Sequence, residues 1–447
     1  MMNWNSLLST KRLGLEDYFK TDKQNRTEYQ RDYDRIIFSS SFRRLQNKTQ
    51  VFPLPGRIFV HNRLTHSLEV ASVGRSLGNN VAIQIVEKDN TVSETLHEIG
   101  SIVSAACLVH DLGNPPFGHS GENVLSSYFT EGKGIKYKTD VSNEEWSDLT
   151  NFEGNANAFR LLTHQFKGRR EGGFVLTYPT LASTIKYPWA SHKFNKKKYG
   201  FFQSEESQFM RIAKELGLEN PEQPGEYFRH PLVYLVEAAD DICYQIMDIE
   251  DAHKLGMLTT RKTKSLLLSF FDTELESKRI ERLRETMNRV TDKNEQIAYL
   301  RASVIGKLID ACSHEFMENY TAIMSGSYQG SLIKNIQGVV GEAYKTCAGL
   351  AVRKIYKAPE VVEIEIAGYR ILSTLLDVFV EAALNPDKSY SKQLLQRLPE
   401  QYEITEGSIY SRIRNVLDFI SGMTDIYALD LYRKITGISI PGVDKVY

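Results

Sequence analysis

Apolar residues recur every three or four positions along most of this chain, the spacing of a helix that turns one face inward. Ile99, Ile102, Val103 and Ala106 share such a face, as do Val233, Val236, Ala239 and Cys243. Residues 280–320 follow the same rule, and so do residues 362–384, VEIEIAGYRILSTLLDVFVEAAL. Strand-like alternation is confined to FVLTY at 174–178 and to the stretch from Val51 to Val60. The pattern predicts a mainly α protein with at most a small β-hairpin.

Two stretches interrupt the helical period. Residues 130–150 (TEGKGIKYKTDVSNEEWSDLT) are rich in Gly, Lys and acids and read as a solvated insertion. Residues 189–229 mix aromatics, lysines and Pro-Gly, as a loop excursion or a small subdomain would. No internal repeat is visible. The expected organisation is a helical core over 1–260 carrying both insertions, then a helical C-terminal part over 261–447 packed on it.

Composition narrows the partners more than the fold. A formal charge of -1 gives no overall attraction to phosphate backbones or acidic membranes, so an anion site has to be local. No apolar run approaches the roughly 18 residues of a membrane span, and the N-terminal stretch lacks the features of a signal peptide. Four cysteines are scattered without CxxC spacing, which fits a reducing, cytoplasmic setting.

The densest chemical signal is CLVHDLGNPPFGHSGE at 107–122. A helix is expected to end in His110-Asp111, Gly113 and Pro115-Pro116 to turn the chain, and a second helix to start near Ser120. His110 continues the stripe of Ile99, Val103 and Ala106, so its imidazole should face inward. An inward His at a helix end is commonly a hydrogen-bonded core residue, but two other helices repeat the feature. His66 heads the stripe Val70, Val73, Leu77, and Asp240 shares its face with Val233 and Val236. An acid inside an apolar helix is costly unless paired or bound to metal. Three apolar helices thus offer two His and two Asp, enough for a mononuclear site with open positions.

The order His66 … His110-Asp111 … Asp240 resembles the signature of the HD-domain phosphohydrolase superfamily. FRRLQNKTQVF (42–52), HNRLTHSLEV (61–70), NFEGNANAFR (151–160), TIKYPW (184–189) and EAADDICYQIMD (237–248) narrow the resemblance to the dGTPase branch. These motifs cover residues 30–260; the C-terminal third matches loosely, through AVRKIYKAPEV (351–361). The resemblance implies an HD-domain helical core and cleavage of a deoxynucleoside triphosphate, dGTP favoured, at the α-phosphorus. The products would be a deoxynucleoside and tripolyphosphate.

The same resemblance implies that His66, His110, Asp111 and Asp240 hold a divalent metal, Mn2+ or Mg2+, with other transition ions also able to bind. Asp240 is preferred to Asp241 because Tyr244 and Asp248 follow it at the family's spacing of four and eight. A metal on the α-phosphate would neutralise charge and lower the pKa of a water. The 5′ oxygen leaves poorly without a proton; His119 is suited to give it, and Glu122 to orient His119. A role for His119 as base or nucleophile stays open. Arg63, Lys186 and Tyr187 are expected at the phosphates, Tyr244 against the sugar, and Asp248 and Gln50 at the 3′-hydroxyl. A tyrosine ring beside C2′ would exclude ribonucleotides.

Relatives of this kind form homo-oligomers, often hexamers, and some bind single-stranded nucleic acid. Lys196-Lys197-Lys198 and Arg169-Arg170 are read first as exposed loop charge and second as such a contact. Of the remaining histidines only His164, near NFEGNANAFR, is kept in reserve. The competing functions are phosphohydrolysis of another nucleotide and a non-catalytic nucleotide-sensing module.

Overall fold

The computed structural model describes residues 1–17, 26–52, 60–88, 94–193 and 198–439. Its framework, in chain order, begins with α1 (Arg63–Lys88), α2 (Ile99–Val109), α3 (Gly118–Thr130) and α4 (Gly154–Thr163). It continues with α5 (Val233–Lys254), α6 (Lys293–Glu318), α7 (Pro359–Leu384), α8 (Ile409–Ser421) and α9 (Asp425–Ile435). No described helix is long and apolar enough to cross a membrane.

Two hydrophobic clusters hold these helices. In the first, α1 contributes Val70, Leu77, Val81 and Ile85, α5 contributes Leu235, Ala239 and Ile246, and α6 contributes Leu300, Val304 and Leu308. Its centre is α2, buried on every side, as expected of a helix that is apolar all round. Because α2 has no polar face, α1 can lie directly against it. Gly78 makes the approach possible: a Cβ there would fall 2.7 Å from the Cα of Gly100 in α2.

The second cluster joins Leu125, Phe129 and Leu149 to Leu372, Leu376 and Phe379 of α7 and to Ile413, Leu417 and Ile420 of α8. Residues 130–150 are therefore not simply solvated. They form a 3-10 stretch (Lys133–Asp140) and a helix (Asn143–Thr150), whose Tyr137 and Leu149 enter this cluster. Lys133 and Lys136 face outward and pair with Asp377 and Glu381 of α7, which accounts for the polar composition.

The described residues form no hairpin. Among the described residues only isolated bridges occur, Thr177 pairing with Arg12 and Thr49 with Asn62. Val175 takes a left-handed φ of 55° and Pro179 opens the helix Tyr178–Ser183, so the extended run at 174–178 is cut at both ends. Most of the other candidate strand, residues 53–59, lies outside the described residues. Residues 198–229 carry the helix Glu206–Leu216, whose Phe209, Ile212 and Leu216 belong to the first cluster.

Gly78→Ala should cost about 1–3 kcal/mol, because backbone on both helices has to move. Gly306 lies inside α6 with nothing within 4 Å of its would-be Cβ, so Gly306→Ala should instead gain about 0.5–1 kcal/mol. Urea unfolding of the two variants measures the contrast. Equal stabilities would mean that the α1–α2 contact is not close in solution.

Candidate metal centre and cleft

The metal candidates meet where α1, α2 and α5 converge. His110 caps the C-terminal end of α2, His66 sits one turn into α1, and Asp240 lies within α5. Asp240 Oδ1 is 3.1 Å from His66 Nε2 and 3.4 Å from His110 Nε2. The donor atoms of these three residues all lie within 4.8 Å of one another.

The tautomer of His110 follows from its own helix. Nδ1 lies 2.7 Å from the carbonyl of Cys107, so it carries the proton and donates it there. Nε2 is the ring nitrogen left over; it is buried and has no hydrogen-bond partner. An orphaned imidazole nitrogen beside a second imidazole and a carboxylate is the donor set a divalent cation takes. Burial pulls the His110 pKa down, but Asp111 and Asp240 outweigh it and push it up to about 9. Asp240 is likewise opposed by burial, yet the facing imidazoles hold its carboxyl well below the ordinary value.

Asp111 stands one step back. Its Oδ2 accepts from Arg63 Nη1 at 2.7 Å and lies 3.7 Å from His110 Nε2, while Oδ1 accepts from the Asn114 amide at 2.5 Å. Three of the four expected ligands are therefore in mutual contact, and Asp111 shares its carboxylate with Arg63. Asp241 also lines the cleft but is outside the contact group of His66, His110 and Asp240: its Oδ2 is buried and unpartnered, and burial followed by the Asp240 charge pushes its pKa up to about 7.

A cleft of about 620 Å³ opens over this group. Gln50, Arg63, His110, Asp111, His119, Glu122, Lys186, Tyr187, Asp240 and Tyr244 all line it. His119 enters on the first turn of α3, with its side chain 79% exposed to the cleft. Its Nδ1 is 3.1 Å from Glu122 Oε2, and that contact, stronger than burial, raises its pKa. Glu122 is fixed in turn by accepting from Gly154 N at the start of α4. The helix begins two residues earlier than expected because Phe117 and Gly118 adopt left-handed φ values of 64° and 60°. A side chain at Gly118 would also meet Arg63 Nη2 at 2.6 Å.

The sugar-side residues arrange differently from expectation. Gln50 faces the cleft with a buried, unpartnered Oε1. Tyr244 stacks on Tyr356 at 5.6 Å between ring centroids, and the Tyr356 hydroxyl donates to Asp248 Oδ2 at 2.7 Å. Asp248 is 4% exposed and lies behind this tyrosine pair rather than on the cleft wall. Burial, opposed by the Tyr356 bond, pushes its carboxyl up to about 7. Lys186 pairs with Glu237 at 2.7 Å. Lys198, read above as exposed loop charge, lines the cleft and pairs with Glu153 at 2.7 Å. Lys196 and Lys197 lie outside the described residues. His164 rests against Arg160 and Phe166 and does not line the cleft.

Asn114 and Tyr356 are among the cleft residues to which the sequence reading gave no role, and Lys198 was given only that of loop charge. Asn114 and Tyr356 stood inside quoted motifs, HDLGNPPFGHSGE and AVRKIYKAPEV, but only the tertiary fold sets Tyr356 against Tyr244.

Comparison with known proteins gives the family of the chain. Residues 63–182 match a family model described as HD domain, and residues 339–434 match a phosphohydrolase-associated domain. Fold and site together define the class of HD-domain phosphohydrolases. The chain is 37% identical to a deoxyguanosinetriphosphate triphosphohydrolase-like protein of Pseudomonas aeruginosa, over 98% of this chain and 100% of the relative. A Synechocystis protein of the same description is 37% identical over the same shares. A Yersinia pestis deoxyguanosinetriphosphate triphosphohydrolase is 32% identical over 91% of this chain and 93% of its own length. The chain belongs to this HD-domain family of deoxyguanosinetriphosphate triphosphohydrolases and proteins like them.

Asp240→Asn should weaken Mn2+ binding by more than the roughly 10–100-fold that loss of an outer partner costs, whereas Asp241→Asn stays within about tenfold. Metal titration of the two variants tests this. Equal losses would mean that the wrong member of the pair has been assigned.

Proposed function

We propose that this protein hydrolyses deoxynucleoside triphosphates, dGTP favoured, to deoxynucleoside and tripolyphosphate by attack at the α-phosphorus. The observation that carries the reading is the free His110 Nε2 set against His66 and Asp240 on a cleft that also presents His119 with its Glu122 partner.

His66, His110 and Asp240 would hold Mn2+ or Mg2+, and Asp111 would join them by sharing Oδ2 between the cation and Arg63. Two imidazoles suit a transition ion better than Mg2+. When bound, the ion supplies charge neutralisation at the α-phosphate and a water of lowered pKa. The remaining work falls to the protein. Arg63, Lys186 and Tyr187, with Lys198, bind and orient the phosphates from the cleft wall. His119 holds a proton on Nε2 for the departing 5′ oxygen, while Nδ1–H donates to Glu122. The raised pKa of His119 keeps it charged closer to neutral pH, as an acid requires. Gln50 Oε1 is an acceptor for the 3′-hydroxyl, with Asp248 reaching the same region through Tyr356. The Tyr244 ring, stacked on Tyr356, would exclude a ribose sterically if it lies beside C2′.

The test is to incubate the purified protein with each dNTP and with GTP, adding Mn2+ or Mg2+, and to separate the products. Intact tripolyphosphate with deoxynucleoside, and GTP spared, is expected. Release of orthophosphate or pyrophosphate, or silence with single nucleotides and mixtures alike, overturns the reading. His119→Ala should keep its metal and lose about 10²–10⁴ in kcat. An empty metal site in that variant would reassign His119 to the ligand set.

A further inference from the structure

The turn between α8 and α9, far along the chain from the metal candidates, reaches back into the loops that form the cleft. Asp425, the first residue of α9, is 7% exposed. Its Oδ1 accepts from the backbone N of Phe117 at 3.0 Å, and its Oδ2 accepts from the backbone N of Thr49 at 2.8 Å. Phe117 is the left-handed residue two positions before His119, and Thr49 directly precedes Gln50. Two further ties run in parallel. Lys48 Nζ donates to the carbonyls of Asn114 at 2.6 Å and Ser421 at 2.8 Å. The Asn157 amide donates to Gly113 O at 2.7 Å and to Ser421 Oγ at 3.2 Å.

We infer that Asp425 is a positioning residue, one carboxylate that holds the His119 arm and the Gln50 arm of the cleft at a fixed separation through Phe117 N and Thr49 N. The inference rests on the roles proposed above for His119 and Gln50. Its physical basis is threefold. A non-glycine residue with positive φ persists only where its surroundings over-determine it, and the Phe117 N–H bond is part of that determination. Bonds from backbone N–H to an ionised carboxylate are charge-assisted and directional. Asp425 opens α9, so its two acceptor oxygens sit at the N-terminal end of the helix dipole, a position suited to a carboxylate side chain. The C-terminal part therefore acts on the reaction through the backbone of two loops, without lining the cleft at Asp425 itself.

Asp425→Asn is the informative variant, because it keeps the shape but retains a single acceptor oxygen and turns an amide N–H toward the other backbone N–H. Two readouts on the full chain test the inference. In hydrogen exchange, segments 113–118 and 48–50 should exchange at least about tenfold faster, while α6 stays unchanged. In kinetics, kcat should fall by about tenfold or more, the scale of a misplaced catalytic group. KM should rise a few-fold through the Gln50 arm. In a His119→Ala background the same substitution should change kcat by less than about threefold, because the group it positions is gone. If Asp425→Asn does not fold, Asp425→Glu, with both acceptors on a longer arm, should move the same two segments.

Unchanged exchange at both segments, or losses that multiply fully with His119→Ala, would overturn the inference and leave Asp425 a packing residue. A wild-type protein that yields no tripolyphosphate would instead refute the proposed reaction. The exchange measurement would then decide the positioning role alone, acceleration supporting it and no change overturning it.

Discussion

Helix α2 has no side that faces water, and the molecule is organised by that constraint. Its residues are buried in every direction, so α1, α5 and other elements have to close around it. Closure at the glycine contact of Gly78 and Gly100 sets the distance between α1 and α2 along their length. It also decides what happens where α2 ends. The chain there emerges as His110-Asp111 beside His66 and Asp240, which the same packing brings into contact with one another. The Cys107 carbonyl, freed at the helix end, takes the Nδ1 proton and leaves Nε2 aimed at its neighbours. A nitrogen left unpartnered in a core is destabilising, and its presence marks a site shaped for something other than stability.

The inward direction of His66, His110 and Asp240 was legible in the sequence because it depends only on helical period. The preference for Asp240 over Asp241 came instead from the family's spacing to Tyr244 and Asp248. What period cannot report is which side chains meet across the chain. Asp111 was expected as an equal ligand, yet it is held by Arg63 and Asn114, a partnership set by the turn at Gly113–Gly118. Asp248 has the expected spacing behind Asp240 but sits behind a tyrosine supplied from far along the chain. FVLTY at 174–178 looked like a strand because its side chains are large and apolar. All of Val175, Leu176 and Tyr178 are buried, so the pattern came from a packed turn and not from a two-faced sheet.

The polar stretch at 130–150 misled for a related reason. Composition averages over both sides of a short helix, and here one side packs on α3 while the other meets water. The second cluster built from that stretch joins residues between Val124 and Phe202 to residues between Ile371 and Leu431, so its packing does not follow a single break in the sequence. The cleft in turn takes residues from the α1–α3 region and from Tyr356, Ile364 and Glu365 near the start of α7. Stability of the C-terminal helices and the shape of the cleft are therefore linked physically, through packing on α3 and through backbone hydrogen bonds around Phe117.

The cations of the cleft have a property that net charge conceals. Arg63 rests on Asp111, Lys186 on Glu237 and Lys198 on Glu153, each at 2.7 Å. Among the described residues the cleft therefore presents no free ammonium row, and under the proposed function each phosphate contact with these cations would compete with a resident carboxylate. Charge alone would then gain little, since the internal pair is already short and partly desolvated. On that reading the cleft would act as an ion exchanger of fixed capacity, selecting by the completeness of the exchange and not by the strength of the field.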